Sequence, residues 1–272
     1  MGEWSGDIAR LQCPVCRREF VRRGDALECA SCAPWPIRDG LPRLGREEWV
    51  RGPDRLMRRF YDGLPRLHDP AVRFLLPLMQ GAGSEESLRE GYMRRLELHA
   101  LPMDRPVRIL EVGVGTGANL PRIEAALPPA LRGRVEVWGL DLSIGMLAGA
   151  RRRVRKLGYR HVHLVQGDAH TLPFRDADFD RVFHVGGIGG FRDPAAALAE
   201  LGRVARPGTP IVVVDEQLEP GLGPVRWALF RALTFYDAAP HCPVEAVPAG
   251  ATDVLAEQVS RFYYSLRFRM PA

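Results

Sequence analysis

Four cysteines stand at Cys13, Cys16, Cys29 and Cys32, two Cys-x-x-Cys knuckles with twelve residues between them. Thiolates at that spacing are the donor set of a closed tetrahedral zinc site, one pair from each of two turns. Four ligands leave no open position for a substrate, so the metal expected here is structural Zn2+. A redox function for the pairs would need a surrounding βαβ pattern, and this stretch has none. A second set of chemically able residues lies farther on. Glu111 is followed by Gly113, Gly115 and Gly117, while Asp141 and Asp168 each follow an apolar run and His184 sits in another. Alternate glycines between a strand and a helix let a nucleotide-like ligand approach bare backbone. The acids offer acceptor oxygens, and a histidine offers a base near neutral pH.

Elements must carry these residues to one place. Val107, Ile109 and Leu110 make a strand that ends at Glu111, and a helix follows from about Gly117 to Leu127, with Pro121 in its first turn where N–H groups lack intrahelical acceptors. Val135–Leu140 is a second strand, closing on Asp141. Ser143 caps a helix with Leu147, Ala150, Val154 and Leu157 on its apolar face and Gly158 as its stop. The basic run Arg151–Lys156 near that helix's C-terminus reads as a solvated face. Val162–Val165 is a third strand, ahead of Asp168, and Asp180–Val185 a fourth, holding His184 and opening into the glycine loop Gly186–Gly190. Asp193 and Pro194 begin a helix that ends at Arg206-Pro207-Gly208, and Ile211–Val214 reads as a buried central strand. Strands alternating with helices predict a parallel sheet covered on both faces. Gln258 and Phe262–Arg269 read as a closing antiparallel hairpin.

The glycines alone leave the ligand open. Gly113–Ala118 also fits the dinucleotide fingerprint G-x-G-x-x-A, and Asp141, 24 residues beyond Gly117, suits it too. The ordered set is narrower: EVGVGTG at Glu111–Gly117, Asp141-Leu142-Ser143 with Met146-Leu147, Gly167-Asp168-Ala169 with Leu172-Pro173-Phe174, and Arg203-Val204-x-Arg206-Pro207-Gly208. Over residues 107–215 this order resembles the class I S-adenosylmethionine-dependent methyltransferases. The resemblance implies an α/β, Rossmann-like seven-stranded sheet, parallel with one antiparallel strand, and S-adenosyl-L-methionine as cofactor. It implies that Gly113, Gly115 and Gly117 clear room for the methionine portion, with Thr116 and Asn119 among the cofactor-binding residues. Glu111 would engage the cofactor's amino group. The two oxygens of Asp141 would take the ribose hydroxyls. Leu142 and Met146 would flank adenine, Asp168 would accept from its amino group, and the Ala169 backbone N–H would donate to a ring nitrogen.

The cysteine stretch ends in Trp35-Pro36-Ile37-Arg38-Asp39-Gly40-Leu41-Pro42-Arg43-Leu44, which resembles the tail of the small zinc-ribbon activator subunits of tRNA and protein methyltransferases. The organisation expected is a zinc ribbon over 9–45, a linker and helical lid over 46–106, and the methyltransferase core over 107–272. The resemblance implies a ribbon that docks on a methyltransferase domain, its own or a partner's. Within the linker, Ser84 caps a helix with Leu88, Tyr92, Leu96 and His99 at helical spacing, His99 packed rather than chemical. Phe60-Tyr61-Asp62 resembles a segment of quinone-pathway methyltransferases that lies over the cofactor. Tyr61 therefore joins the cofactor-binding candidates, against the plainer reading that it packs a lid.

The acceptor is less legible. Methyltransferases of exocyclic nucleobase amines carry (D/N)-P-P-(Y/F) after the fourth strand, and this chain has His184-Val185-Gly186-Gly187 instead. The surrounding pattern resembles the menaquinone/ubiquinone-type branch, which implies a small apolar or aromatic acceptor. Methyl transfer from a sulfonium is an in-line displacement helped mainly by positioning, and His184 is the candidate base should the acceptor need one; contact with the cofactor or plain packing is the competing role. Val225–Tyr236 is apolar nearly all round, either a buried helix or a pocket wall. Two alternatives stay open: an rRNA or tRNA base methyltransferase using the ribbon on RNA, and a non-catalytic scaffold. The 272-residue chain is 46% apolar and carries a net charge of +5, with Lys156 its one lysine; that balance permits nucleic-acid binding without arguing for it. Early arginines exclude a signal peptide, and no apolar run approaches the ~20 residues of a membrane span, so the expected location is the cytoplasm.

Overall fold

The computed structural model describes Trp4, residues 6–52, Arg55, Arg58, and residues 85–217 and 240–272. Phe60, Tyr61, the Ser84 cap and the apolar stretch Val225–Tyr236 lie outside the described residues.

The N-terminal stretch folds as four short strands, β1 (Val21–Arg23), β2 (Ala26–Cys29), β3 (Cys32–Arg38) and β4 (Leu41–Pro42), paired in that order. The core begins with helix α1 (Glu85–Arg95), followed by β5 (Arg108–Val112), α2 (Leu120–Ala126), β6 (Glu136–Asp141) and α3 (Ile144–Leu157). Then come β7 (Val162–Gln166), β8 (Arg181–Val185), α4 (Pro194–Val204), β9 (Ile211–Glu216), β10 (Thr252–Ser260) and β11 (Tyr263–Arg269). The seven-stranded sheet runs β10-β11-β9-β8-β5-β6-β7, and β11 is the one strand that runs against the other six. The chain leaves β5 towards β6 and β7, then returns to β8 on the other side. The C-terminal ends of β5 and β8 therefore flank the crevice where open α/β sheets bind ligands.

Local signals explain the helix ends. Ser143 Oγ accepts the Met146 N–H at 3.1 Å, Gly158 stops α3 in a left-handed turn, and Asp193 Oδ1 accepts the Ala196 N–H at 2.9 Å. Three expectations are corrected. α2 starts at Leu120 rather than Gly117, because Gly117–Asn119 form a turn and the Asn119 side chain is engaged elsewhere. Leu157 is exposed on the last turn of α3, whose buried positions are Met146, Leu147 and Ala150. α1 ends at Arg95, which leaves His99 exposed rather than packed.

Alternation along the strands splits the core in two. Ile109, Val212 and Val214 face α1, α2 and α3, whereas Leu110, Val112, Ile211 and Val213 face α4. The crossover 167–180 between β7 and β8 contains no helix, and the sheet face it leaves is covered by the ribbon. Leu11, Leu27, Trp35 and Leu44 bury in the same cluster as Trp138, Val165, Leu172 and Phe174. No helix among the described residues is long and apolar enough to cross a membrane.

Candidate functional site

The glycine turn is held from below by the neighbouring strand. The N–H groups of Gly113 and Val114 both donate to Leu140 O, at 2.7 and 3.0 Å. Asp141 finishes the job: its Oδ2 accepts the Gly115 N–H and its Oδ1 the Ser143 N–H, each at 2.8 Å. The acid expected at the ribose thus also braces the turn.

The three glycines have different reasons to be glycine. A Cβ on Gly113 would lie 3.0 Å from the His184 ring, and one on Gly117 would lie 2.9 Å from Leu120 Cδ1. Of the three, only Gly115 would send a side chain into open space, with Gly113 O at 4.0 Å its nearest neighbour among the described residues. All three have positive φ, +73, +55 and +75°, which already favours glycine; packing adds a second reason at Gly113 and Gly117, whereas at Gly115 the open space is what a ligand would occupy. Thr116 is buried against Gly149 of α3.

Glu111 is a carboxyl that its surroundings shift upward. It is 1% exposed, Asn119 Nδ2 donates to its Oε1 at 2.5 Å, and its buried Oε2 has no hydrogen-bond partner among the described residues. Burial pushes its carboxyl up to about 8, with Asn119 and Arg89 pulling the other way. Asn119 Oδ1 in turn accepts from the Tyr92 hydroxyl at 2.5 Å and from the Arg89 guanidinium. Tyr92 was legible only as an apolar helix position and Arg89 not at all. The available signal was their i, i+3 spacing, which puts a guanidinium and a phenol on one helix face.

Asp168 is 2% exposed and already engaged. Its Oδ1 accepts the His170 N–H at 2.9 Å and faces His170 Nδ1 at 2.6 Å, while Oδ2 accepts from Arg192 at 2.7 Å. Burial raises its carboxyl, but the His170 and Arg192 contacts outweigh it and hold the group below the ordinary carboxylate range. An ionised carboxylate has about four acceptor sites, so the adenine amino group expected there would share a crowded acid. Ala169 beside it is half-buried; of the expected adenine flanks, Met146 is buried and Leu142 half-buried.

His184 lies under the turn rather than in the open crevice. It is 1% exposed, its Nδ1 sits 2.8 Å from Val112 O and therefore carries the proton, and Nε2 has no partner among the described residues. Burial lowers its pKa, so the ring is neutral. Phe191 stands between the two histidine rings, with centroids 5.1 Å from His184 and 5.4 Å from His170. Beyond it, Asp215 accepts the N–H groups of Gly187 and Gly189 at 2.7 Å each and fixes the glycine loop after β8.

In the ribbon, the Sγ atoms of Cys13, Cys16, Cys29 and Cys32 lie within 4.8 Å of one another, with no disulfide between them. Four convergent soft donors in that space suit a tetrahedral zinc ion. The ribbon docks on this chain's own core. Gln12 N–H donates to Pro173 O at 3.0 Å and its side chain to Phe174 O at 2.5 Å, Arg17 donates to Leu172 O at 2.9 Å, and Leu44 N–H donates to Gln166 O at 2.8 Å. All four acceptors belong to the segment that carries Asp168.

Three acids at the C-terminal ends of adjacent strands, a glycine turn and this strand order define the class I methyltransferase fold. Comparison with known proteins agrees. Residues 109–208 match the family described as methyltransferase domain. A phosphatidylethanolamine N-methyltransferase of Cereibacter sphaeroides is 39% identical over 109 residues, 40% of this chain and 50% of that protein. A demethylmenaquinone methyltransferase of Renibacterium salmoninarum is 37% identical over 145 residues, 52% of this chain and 55% of that protein. The chain spans about half the length of these curated relatives. Phosphoethanolamine N-methyltransferase 2 of Haemonchus contortus, solved in complex with S-adenosyl-L-methionine, shares the fold with a TM-score of 0.60 at 16% identity, covering 88% of this chain and 62% of that one. The chain has the class I methyltransferase fold, and its residues 109–208 match the methyltransferase domain family.

Proposed function

We propose that this chain is an S-adenosylmethionine-dependent methyltransferase acting on a small, apolar or aromatic acceptor of quinone, lipid or natural-product type, with structural zinc in its ribbon. The observation that carries the cofactor is the buried Oε2 of Glu111, which has no hydrogen-bond partner among the described residues, together with the open space at Gly115 four positions on. A buried carboxyl oxygen left over in this way calls for a donor, and the cofactor's ammonium is one. S-adenosylmethionine bound there would supply an electrophilic methyl group on sulfonium sulfur. The chain's own residues bind and orient: Glu111 the ammonium, Asp141 the ribose, Asp168 and Ala169 the adenine edge, Leu142 and Met146 its faces. Tyr61 is proposed as a cover, and His184 as a brace beneath the turn whose Nε2 lone pair could also serve as the base.

The small-molecule acceptor is supported by two relatives whose names specify a lipid and a quinone precursor. RNA draws no comparable support, since the ribbon surface formed by Leu11, Gln12 and Leu44 is spent on the core. Calorimetry with S-adenosylhomocysteine and with a nicotinamide dinucleotide tests the cofactor. Binding of the first alone is expected, and binding of the second alone would overturn the reading. Methyl transfer from labelled cofactor to a demethylmenaquinone analogue, to phosphatidylethanolamine vesicles or to rRNA sorts the acceptor class. Transfer to rRNA alone would replace the small-molecule reading with the nucleic-acid one.

A further inference from the structure

The family match begins at residue 109, yet two side chains that govern Glu111 come from α1, well before it. Tyr92 is 2% exposed, and its hydroxyl accepts from Arg89 Nη1 at 3.2 Å while donating to Asn119 Oδ1 at 2.5 Å. The Arg89 guanidinium also donates to Asn119 Oδ1. Two donors on that oxygen settle which way the amide points, because its nitrogen must then face Glu111 Oε1, where it donates at 2.5 Å. Asn119 stands at the N-terminus of α2 but makes no capping bond there, so its amide is reserved for this relay.

We propose that Tyr92 and Arg89 are positioning residues for the amino-acid end of the cofactor: by occupying Asn119 Oδ1 they turn the amide nitrogen onto Glu111 Oε1 and leave Oε2 presented to the ammonium. This inference rests on the cofactor reading above. It makes α1, a helix of the linker, part of the cofactor site, and it separates recognition of the amino acid from recognition of the nucleoside. The hydrogen bonds described above for Asp141, from Gly115 and Ser143, and for Asp168, from His170 and Arg192, involve no residue of α1.

The experiment measures two ligands on the full chain: S-adenosylhomocysteine, which carries the ammonium, and 5′-methylthioadenosine, the same nucleoside thioether without the amino acid. Tyr92→Phe keeps the ring and removes the donor. It is expected to weaken S-adenosylhomocysteine by roughly tenfold, the size of one hydrogen bond serving a charged group, and to leave methylthioadenosine unchanged. Arg89→Met, at the half-buried edge of the cluster, should show the same selectivity should Tyr92→Phe not fold, and Arg89→Lys should restore part of the loss. Equal weakening of both ligands would mean that α1 is merely structural, and no weakening of either would mean that the relay has no consequence; each overturns the proposal. Failure of the unaltered chain to bind either nucleoside is a different result and would overturn the cofactor reading itself.

Discussion

Arg17, the residue after the second cysteine, donates to Glu200 of α4 at 2.8 Å. Glu200 in turn accepts the Leu172 N–H at 2.7 Å, and Arg17 also donates to Leu172 O, so both polar groups of the Leu172 backbone are held by this pair. Burial raises the Glu200 carboxyl, but Arg203 and Arg17 outweigh it and keep it ionised. The knuckle is thereby joined to the segment that presents Asp168. Removing the metal by chelation should lower the melting temperature and weaken S-adenosylhomocysteine binding together. Titration of the ligand into chelated protein and into protein reloaded with one equivalent of Zn2+ checks this; equal affinity in both would mean the ribbon is an independent appendage.

Glu111 sets a pH dependence with a definite sign. Its folded value of about 8 lies above the ordinary 4.5, so the unliganded carboxyl is protonated at pH 7. An ammonium favours the ionised form, so binding must expel that proton. Affinity for S-adenosylhomocysteine should therefore rise from pH 6 to about 8 and flatten above, with proton release seen as a buffer-dependent heat. Glu111→Gln should bind weakly and without this slope.

The same shift acts on stability. A raised folded pKa contributes stability below the unfolded value that is lost as pH rises through the folded one, here from 4.5 to about 8. The unliganded chain should soften across that window, and Glu111→Gln should soften less. Melting curves of both proteins at pH 5 to 9 provide the comparison.

Replacing glycines of the turn should separate packing from ligand space. Gly113→Ala places a Cβ 3.0 Å from the His184 ring at φ +73°, and should cost about 1–2 kcal/mol from the left-handed backbone alone, with the clash in addition. Gly115→Ala carries the backbone cost without the clash and should instead impair ligand binding. Denaturant unfolding with parallel calorimetry tests the split; equal losses in both measurements for both variants would contradict it.

His184 should behave as a buried neutral imidazole. Burial depresses its pKa, so its contribution to stability is present above the unfolded value of 6.5 and is lost as pH falls below it. His184→Gln should be less stable at pH 7.5 but lose less on acidification to pH 5. Parallel melting curves for the two proteins would argue for a charged or exposed ring.

How much of this was legible in the chain follows from the range of each signal. The knuckles, the glycine turn, the Ser143 and Asp193 caps and the Gly158 stop are patterns of a few residues, and each formed where its spacing placed it. The order of acids along the strand ends was legible too, because strand-helix alternation puts the end of every parallel strand on one edge. What failed to show were pairings between distant segments: Arg89 and Tyr92 on Asn119, Arg192 on Asp168, and Gln12 on Phe174 across 162 positions. Such contacts leave no periodicity behind, since any donor of suitable length could stand at either end.

The glycines show the division most clearly. By its sequence alone the chain determined that a tight turn follows β5 and that Glu111, Asp141 and Asp168 end up near it, because local backbone preferences and strand periodicity suffice for that. Only the tertiary structure decided that Gly113 makes way for His184, that Gly115 is the one glycine of the three in the turn to face open space among the described residues, and that one oxygen of Glu111 is left without a partner among them. Those facts depend on what packs against the turn from other elements, and packing is settled only when the whole sheet has closed around it.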